Sequence, residues 1–334
     1  MKKNQLEFYR VIFTLGICIY HARGFLGLSF MQNGYLLVEF FFILSGYFLF
    51  TSFKREDHHS SLKYIKKRLL RLYPEYLVAA LLAIVAMGIV NHDFNLSKAF
   101  NELLLVQNTG LFHLGGYNYP CWYISTMLLA GVIIYGLMSF NEQAFLKIGT
   151  PIIVFCGYCF ILSQGNGLEN WSYVGPIAIA ALRAFCGMTV GVGIGALERN
   201  KYSPKIKAVP ASIIEIFCIA LISLGLFTDY SSEMLTIVAF GGLVYISASG
   251  NGIISRIVNR KWISTVGDYS YSVYLNHGIV LSGLLYIDRH IVAIPSVYLK
   301  LALYFVILIV YSVLSHVVIT KIVNKIRKEK VRSL

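Results

Sequence analysis

The stretch NGYLLVEFFFILSGYFLFTSF, residues 33–53, decides the fold. It runs for 21 residues with a single charged side chain, Glu39. About 20 consecutive apolar residues are what a helix needs to cross a bilayer. Nine further stretches read the same way, so the sequence predicts ten spans: 6–28, 33–53, 74–91, 121–140, 148–164, 173–197, 208–227, 233–250, 265–287 and 296–320. Composition agrees. Of the 334 residues 57% are apolar and 13% charged, against about 25% charged in an ordinary soluble domain. The mean hydropathy is +0.67. A soluble globule could not hide that much apolar surface, and a disordered chain is excluded by the same numbers. Ten spans fill the chain, which predicts one transmembrane domain over 1–334.

The net charge is +13. Basic residues of membrane proteins collect in cytoplasmic loops. With the N-terminus placed inside and the spans alternating, all but six of the 29 basic residues fall on cytoplasmic segments. The exceptions are Arg10, Arg23, Lys98, Arg183, Arg289 and Lys300. The bias predicts an all-α polytopic protein with both termini in the cytoplasm. The charge is then topological, and no nucleic-acid partner is expected. The 91–120 loop is the longest on the outer side, and its middle, Phe100–Val106, reads as an amphipathic interfacial helix. Gly187, Gly191 and Gly195 recur every four residues, so they line one helix face that a second helix can approach closely. Cys156 and Cys159 form a C-x-x-C inside an apolar run and read as lipid- or core-facing thiols, since buried cysteine behaves as a small hydrophobe. No metal site is expected.

Ionisable groups within spans are costly, about 2.5–3.5 kcal/mol each at a helix centre. They are Arg10, His21, Glu39, Arg183, Asp268 and His277, with His316 near the end of the last span. Arg10 and His21 are eleven residues apart. At 100° per residue this is three turns plus about 20°, so they share one stripe, about 16 Å apart along the axis. Glu7, Thr14 and Cys18 fall on the same side. Such a stripe faces a cavity or other helices. Glu39 enters the second span at the depth of His21, and the two helices are joined by a short turn. The expectation is that Glu39 meets His21 and orients its imidazole as a general base; a structural ion pair with Arg23 is the other reading. In the ninth span Ser270, Tyr274 and His277 share a face. The run Lys63–Arg71 is basic and amphipathic. It suits either anchoring to anionic lipid or recognition of a phosphorylated ligand.

These residues resemble the acyltransferase-3 family of bacterial integral-membrane acyltransferases. Arg10-x10-His21 is the strongest element. Val38–Tyr47 is similar to the family's acidic-x-Phe-Phe-x-Leu-Ser-Gly segment, and Lys67–Tyr76 to its Arg-x-x-Arg-x-x-Pro-x-Tyr. Trp122-Tyr123-Ile124 stands where the family has Trp-x-Leu. Arg183 with Gly187 resembles its sixth-span Arg and Gly. Ser270–His277 resembles Ser-Tyr-x-x-Tyr-Leu-x-His. One departure is Met127, where many members carry Glu. The likeness is to the form without a fused extracytoplasmic domain.

The resemblance implies transfer of an acyl group, usually acetyl, from acyl-CoA to a hydroxyl of a sugar, polysaccharide or lipid-linked glycan, in the bacterial cytoplasmic membrane. Acyl-CoA would be a co-substrate, with no bound cofactor. The expected roles are His21 as general base or acyl carrier, oriented by Glu39. Arg10, Arg68, Arg71 and Arg183 would bind acyl-CoA. Ser45, Trp122, Tyr274 and His277 would line the acceptor side, with Ser45 or Arg183 as oxyanion donor. An exporter of an organic anion or glycan is the rival reading. It lacks support from an internal repeat.

Overall fold

The computed structural model describes residues 3–56, 58–91, 94–112, 115–165, 167–169, 171–200, 206–228 and 232–332. Lys2, Lys201 and Lys205, which enter the charge argument, lie outside them. Twelve α-helices form among the described residues: α1 (Asn4–Leu26), α2 (Leu37–Phe53), α3 (Ser61–Asn91), α4 (Leu96–Leu104), α5 (Trp122–Ala144), α6 (Thr150–Ser163), α7 (Ile179–Arg199), α8 (Ala208–Phe227), α9 (Glu233–Ser249), α10 (Ile253–Ile257), α11 (Lys261–His290) and α12 (Val297–Arg332). One short antiparallel hairpin joins β1 (Tyr173–Val174) to β2 (Ile177–Ala178).

This is an all-α membrane protein. Six stretches are long and apolar enough to cross a bilayer: Gly34–Phe53, Ser61–Ile89, Tyr119–Ser163, Ile179–Arg199, Ala208–Phe227 and Val297–Glu329. The helix α9 is apolar but shorter. Helices α1 and α11 carry the polar stripes and are not in this set. Outward faces carry apolar side chains such as Phe140, Phe155, Val238 and Val310. Cys156 and Cys159 lie on that exposed surface as free thiols.

Several boundaries differ from expectation, each for a local reason. The third helix begins at Ser61, thirteen residues before the apolar run, because the basic segment 61–73 is itself helical, with Pro74 inside the helix. The segment therefore reads as a loop by hydropathy alone. Between α5 and α6, Asn141 breaks helical geometry (φ −154°, ψ 95°) and a π-helical turn spans Phe145–Gly149. The hairpin occupies 173–178, so α7 starts only at Ile179. The amphipathic segment expected over Phe100–Val106 is helical from Leu96 to Leu104 as α4, capped by the Asn95 side chain accepting from the Lys98 N–H and ended at Leu105 in the left-handed region. Its polar residues Asn101 and Glu102 are buried, while Leu96, Phe100 and Leu104 face outward. That inverted pattern suits an apolar exterior.

The closest helix pair is α2 with α7. The glycine face read from the sequence is the seam. A Cβ on Gly191 would strike the Ile43 carbonyl, one on Gly46 the Met188 carbonyl, and one on Gly195 the Phe50 ring. Only glycine lets the two backbones lie this close. Gly191→Ala is expected to cost about 1–3 kcal/mol by overpacking. A thermal midpoint in detergent unchanged from wild type would contradict this contact.

Helix α1 packs mainly along α11. A Cβ on Gly267 would meet Glu7, Arg10 bonds Ser270, and the His21 ring lies beside His277. The pairs ascend together, so the two helices run parallel. The α1 stripe therefore faces α11.

Candidate active site

Two cavities lie along the α1 stripe. The larger, about 650 Å³, opens at the basic end and is lined by Arg10, Lys67, Arg68, Arg71, Ser45 and Tyr274 among others. The smaller, about 310 Å³, holds His21, with Arg23, Tyr35, Trp122, Trp171 and Arg183 in its wall. Ile17 and Val38 belong to both walls. They form a thin apolar partition between the arginines and the histidine.

At the basic end, Arg10 Nη1 donates to Glu7 at 2.6 Å and Nη2 to Ser270 at 3.1 Å. The Arg68 guanidinium lies over the Tyr64 ring. Arg71 has no hydrogen bond or ion pair among the described residues. Three guanidinium groups around one cavity repel one another, and an anion would relieve that repulsion. Ser45 Oγ sits 3.1 Å from Tyr123 Oη and donates to Met127 Sδ at 3.3 Å.

At the other end His21 is surrounded by rings: Tyr20 and Tyr119 edge-on at 5.1 Å between centroids, and His277 at 5.2 Å. His277 is fully buried. Its Nδ1 lies 2.5 Å from the Tyr274 carbonyl oxygen, so Nδ1 carries the proton and donates it. Its Nε2 is then a lone pair, and it is buried without a partner among the described residues. The Tyr274 hydroxyl donates to the Pro120 carbonyl, and Asn118 Nδ2 donates to the Leu275 carbonyl at 2.9 Å. These bonds tie the long loop to the histidine-bearing part of α11.

Residues 3–321 match the family model for the acyltransferase domain of the acyltransferase-3 type. The chain belongs to the acyltransferase-3 family. It is a membrane acyltransferase. Comparison with the curated proteins and with the solved structures finds no match.

Two expectations for this acyltransferase are corrected by the geometry. Glu39 does not orient His21. Its Oε1 is ion-paired with Arg183 Nε and its Oε2 accepts from the Tyr158 hydroxyl at 2.8 Å. The reason is helix order: α7 and not α1 lies against this face of α2. Nor does Glu39 pair with Arg23, which stacks on the Tyr20 ring 4.2 Å from its centroid. Arg183 in turn does not join Arg10, Arg68 and Arg71. Its remaining donors go to the Leu168 and Tyr35 carbonyls at 2.8 and 2.7 Å, and it walls the histidine cavity. The other residues divide as follows: Ser45 and Tyr274 line the basic cavity, Trp122 the histidine cavity, and His277 backs His21. Met127, at the position of the family's Glu, gives the basic cavity a thioether in place of a carboxylate.

Polar clusters that the sequence reading passed over complete the acyltransferase. Glu102 on α4 accepts from the Tyr76 hydroxyl at 3.2 Å and the Asn118 N–H at 3.2 Å. Gln107 links Tyr76 to Ser125. Burial pushes the Glu102 carboxyl up to about 6. Glu75 accepts from Ser272 and lies 2.8 Å from His316 Nδ1. Glu215 holds the start of α10 through the Ile254 and Ser255 N–H groups. Glu75 lies in a quoted motif and Glu102 in the amphipathic segment. Nothing in the spacing of either gives its partners.

Proposed function

We propose that this protein transfers an acyl group, acetyl in the simplest case, from cytoplasmic acyl-CoA to a hydroxyl of a sugar or lipid-linked glycan across a bacterial inner membrane. The basic end is the cytoplasmic end, the chain crosses the membrane ten times, and both termini lie inside. The observation that carries the reading is the pair of cavities abutting at Ile17 and Val38, with Arg10, Lys67, Arg68 and Arg71 in the wall of one and His21, beside Arg23 and the Glu39-paired Arg183, in the wall of the other. An acyl-CoA has the matching form: a polyanionic head and a long thin arm ending in a thioester. Arg10, Arg68 and Arg71 hold the phosphates by charge-assisted bonds. The arm follows the α1 stripe, and the thioester reaches the partition from inside. The acceptor hydroxyl enters from the other side.

There His21 acts as general base. It takes the hydroxyl proton as the oxygen attacks the thioester carbonyl. The tetrahedral intermediate collapses, the carbon–sulfur bond breaks, and the thiolate leaves with the proton that His21 returns. Trp122 and Trp171 give the acceptor side an aromatic wall, a common surface for sugar rings. In this reading His277 orients His21. The Nε2 lone pair of His277 has no partner among the described residues. It would accept the N–H of His21 once the two rings, 5.2 Å apart between centroids, draw together, which leaves the other His21 nitrogen as the base. The Tyr274 carbonyl fixes the tautomer of His277 in turn.

Labelled acetyl-CoA supplied to the purified protein with a membrane glycan fraction tests the reaction. Transfer of label to the acceptor is expected. Absence of transfer together with absence of any CoA-induced thermal stabilisation would overturn the reading. The orienting role is tested at His277. The substitution His277→Gln places an amide near the Nε2 position and should retain more turnover than His277→Asn, with KM for acetyl-CoA unchanged in both. Equal losses in the two variants would sink that role.

A further inference from the structure

A third cavity, about 580 Å³, lies between α3, α11 and α12. It is not separate from the basic cavity. Arg10, Lys67, Arg71, Leu72, Asp268 and Tyr271 stand in both walls. The vestibule at the basic end is therefore forked, with three cations at the fork. One branch leads to Ile17 and the partition. The other leads along α12, past His316, Thr320 and Asn324 to Arg327. Arg327 is held in place by an Nη2–H bond to the Leu70 carbonyl at 3.3 Å, and its other N–H groups stay open. Four carboxylates face these cations: Asp268 and Glu75 in the wall of the branch, Glu7 paired with Arg10 at 2.6 Å and Glu56 with Lys67 at 3.3 Å. This leaves Arg71 as the cation at the fork with no ion pair among the described residues. Glu75 is already engaged by Ser272 and His316. The second branch is thus cationic at both ends, with amide and hydroxyl groups between.

On the reading of the protein as an acyl-CoA-dependent transferase, we propose that the second branch binds the 3′-phosphoadenosine end of the donor, with the phosphate monoester on Arg327. The argument is one of chemistry and shape. Coenzyme A carries two separate phosphate groups: a diphosphate between arm and nucleoside, and a monoester on the ribose. A single channel to the thioester accommodates the first and leaves the second unassigned. In the fork the diphosphate lies at Arg10, Lys67 and Arg71, the arm takes the branch toward His21, and the nucleoside takes the branch along α12. Asn324 and Thr320 can bond its ribose and base. A phosphate monoester presents three acceptor oxygens, which the planar guanidinium fork of arginine fits. The headgroup of an anionic lipid offers related phosphate chemistry, and the experiment separates the two sources.

Thermal stabilisation of the full-length protein in detergent is measured against CoA and against 3′-dephospho-CoA. A hydrogen-bonded charge contributes about 1.5–3 kcal/mol, so CoA is expected to bind about tenfold or more tightly than the dephospho form. Arg327→Gln should weaken CoA to the dephospho level and leave dephospho-CoA binding unchanged, which also reports that the variant is folded. Arg327→Lys should keep part of the preference. Equal wild-type affinity for the two ligands overturns the proposal. So does an Arg327→Gln variant that weakens both alike. A wild-type preference that vanishes when anionic lipid is added assigns the site to lipid phosphate and overturns it as well. Binding of neither ligand would instead fail the acyl-CoA reading itself.

Discussion

His21→Ala is expected to lower acyl transfer by about 100- to 10,000-fold, the range that a positioned general base contributes. Binding of the donor should survive, because in the proposed reading its head lies at Arg10, Arg68 and Arg71, and these line the cavity on the far side of Ile17 and Val38 from His21. The two readouts are turnover of labelled acetyl-CoA and CoA-induced thermal stabilisation of the same variant. Loss of the first with retention of the second is the predicted pair. Transfer at the wild-type rate would remove His21 from the chemistry. A further arm separates direct attack from an acyl-imidazole intermediate. Wild-type protein incubated with labelled donor and no acceptor holds label covalently at His21 only if the intermediate forms.

The second large effect is one of stability. Glu39 is fully buried, Arg183 nearly so, and Tyr158 completes the group. Removing one member of such a pair leaves an uncompensated charge in the apolar interior, at a cost of about 3–5 kcal/mol. Glu39→Leu and Arg183→Met should each lower the unfolding midpoint sharply. The double variant should lose less than the sum of the two, because neither charge is then stranded; coupling of about 0.5–3 kcal/mol is usual for contacting groups. Additive losses would show that the two do not act as a pair. The single variants should also lose activity. Arg183 bonds the Leu168 and Tyr35 carbonyls, so its removal frees two segments that surround the His21 cavity.

The fold class could be read from the chain because an apolar run of bilayer length is a local property. So could the Arg10–His21 stripe and the glycine face of α7, since both follow from helical period alone. Boundaries were harder wherever polarity and helicity part company. The segment 61–73 is charged and still helical, and hydropathy registers only the charge. Depth follows from counting residues along each span, and it puts Glu39 and His21 at corresponding levels. Depth does not say which helix lies against the carboxylate.

That choice belongs to tertiary packing. The glycines of α7 let it dock against α2, and the docking brings Arg183 to Glu39 across 144 residues of chain. The carboxylate is thereby used up, and α11 supplies the neighbour of His21 instead, His277. The same packing splits the basic residues between two cavities and opens the fork beside α12. Sequence by itself determined the apolar runs, the ionisable groups within them and the face each one occupies, because these depend on residue type and period. Which faces meet is set by side-chain volume and close backbone approach between distant helices, and that only the folded bundle decides.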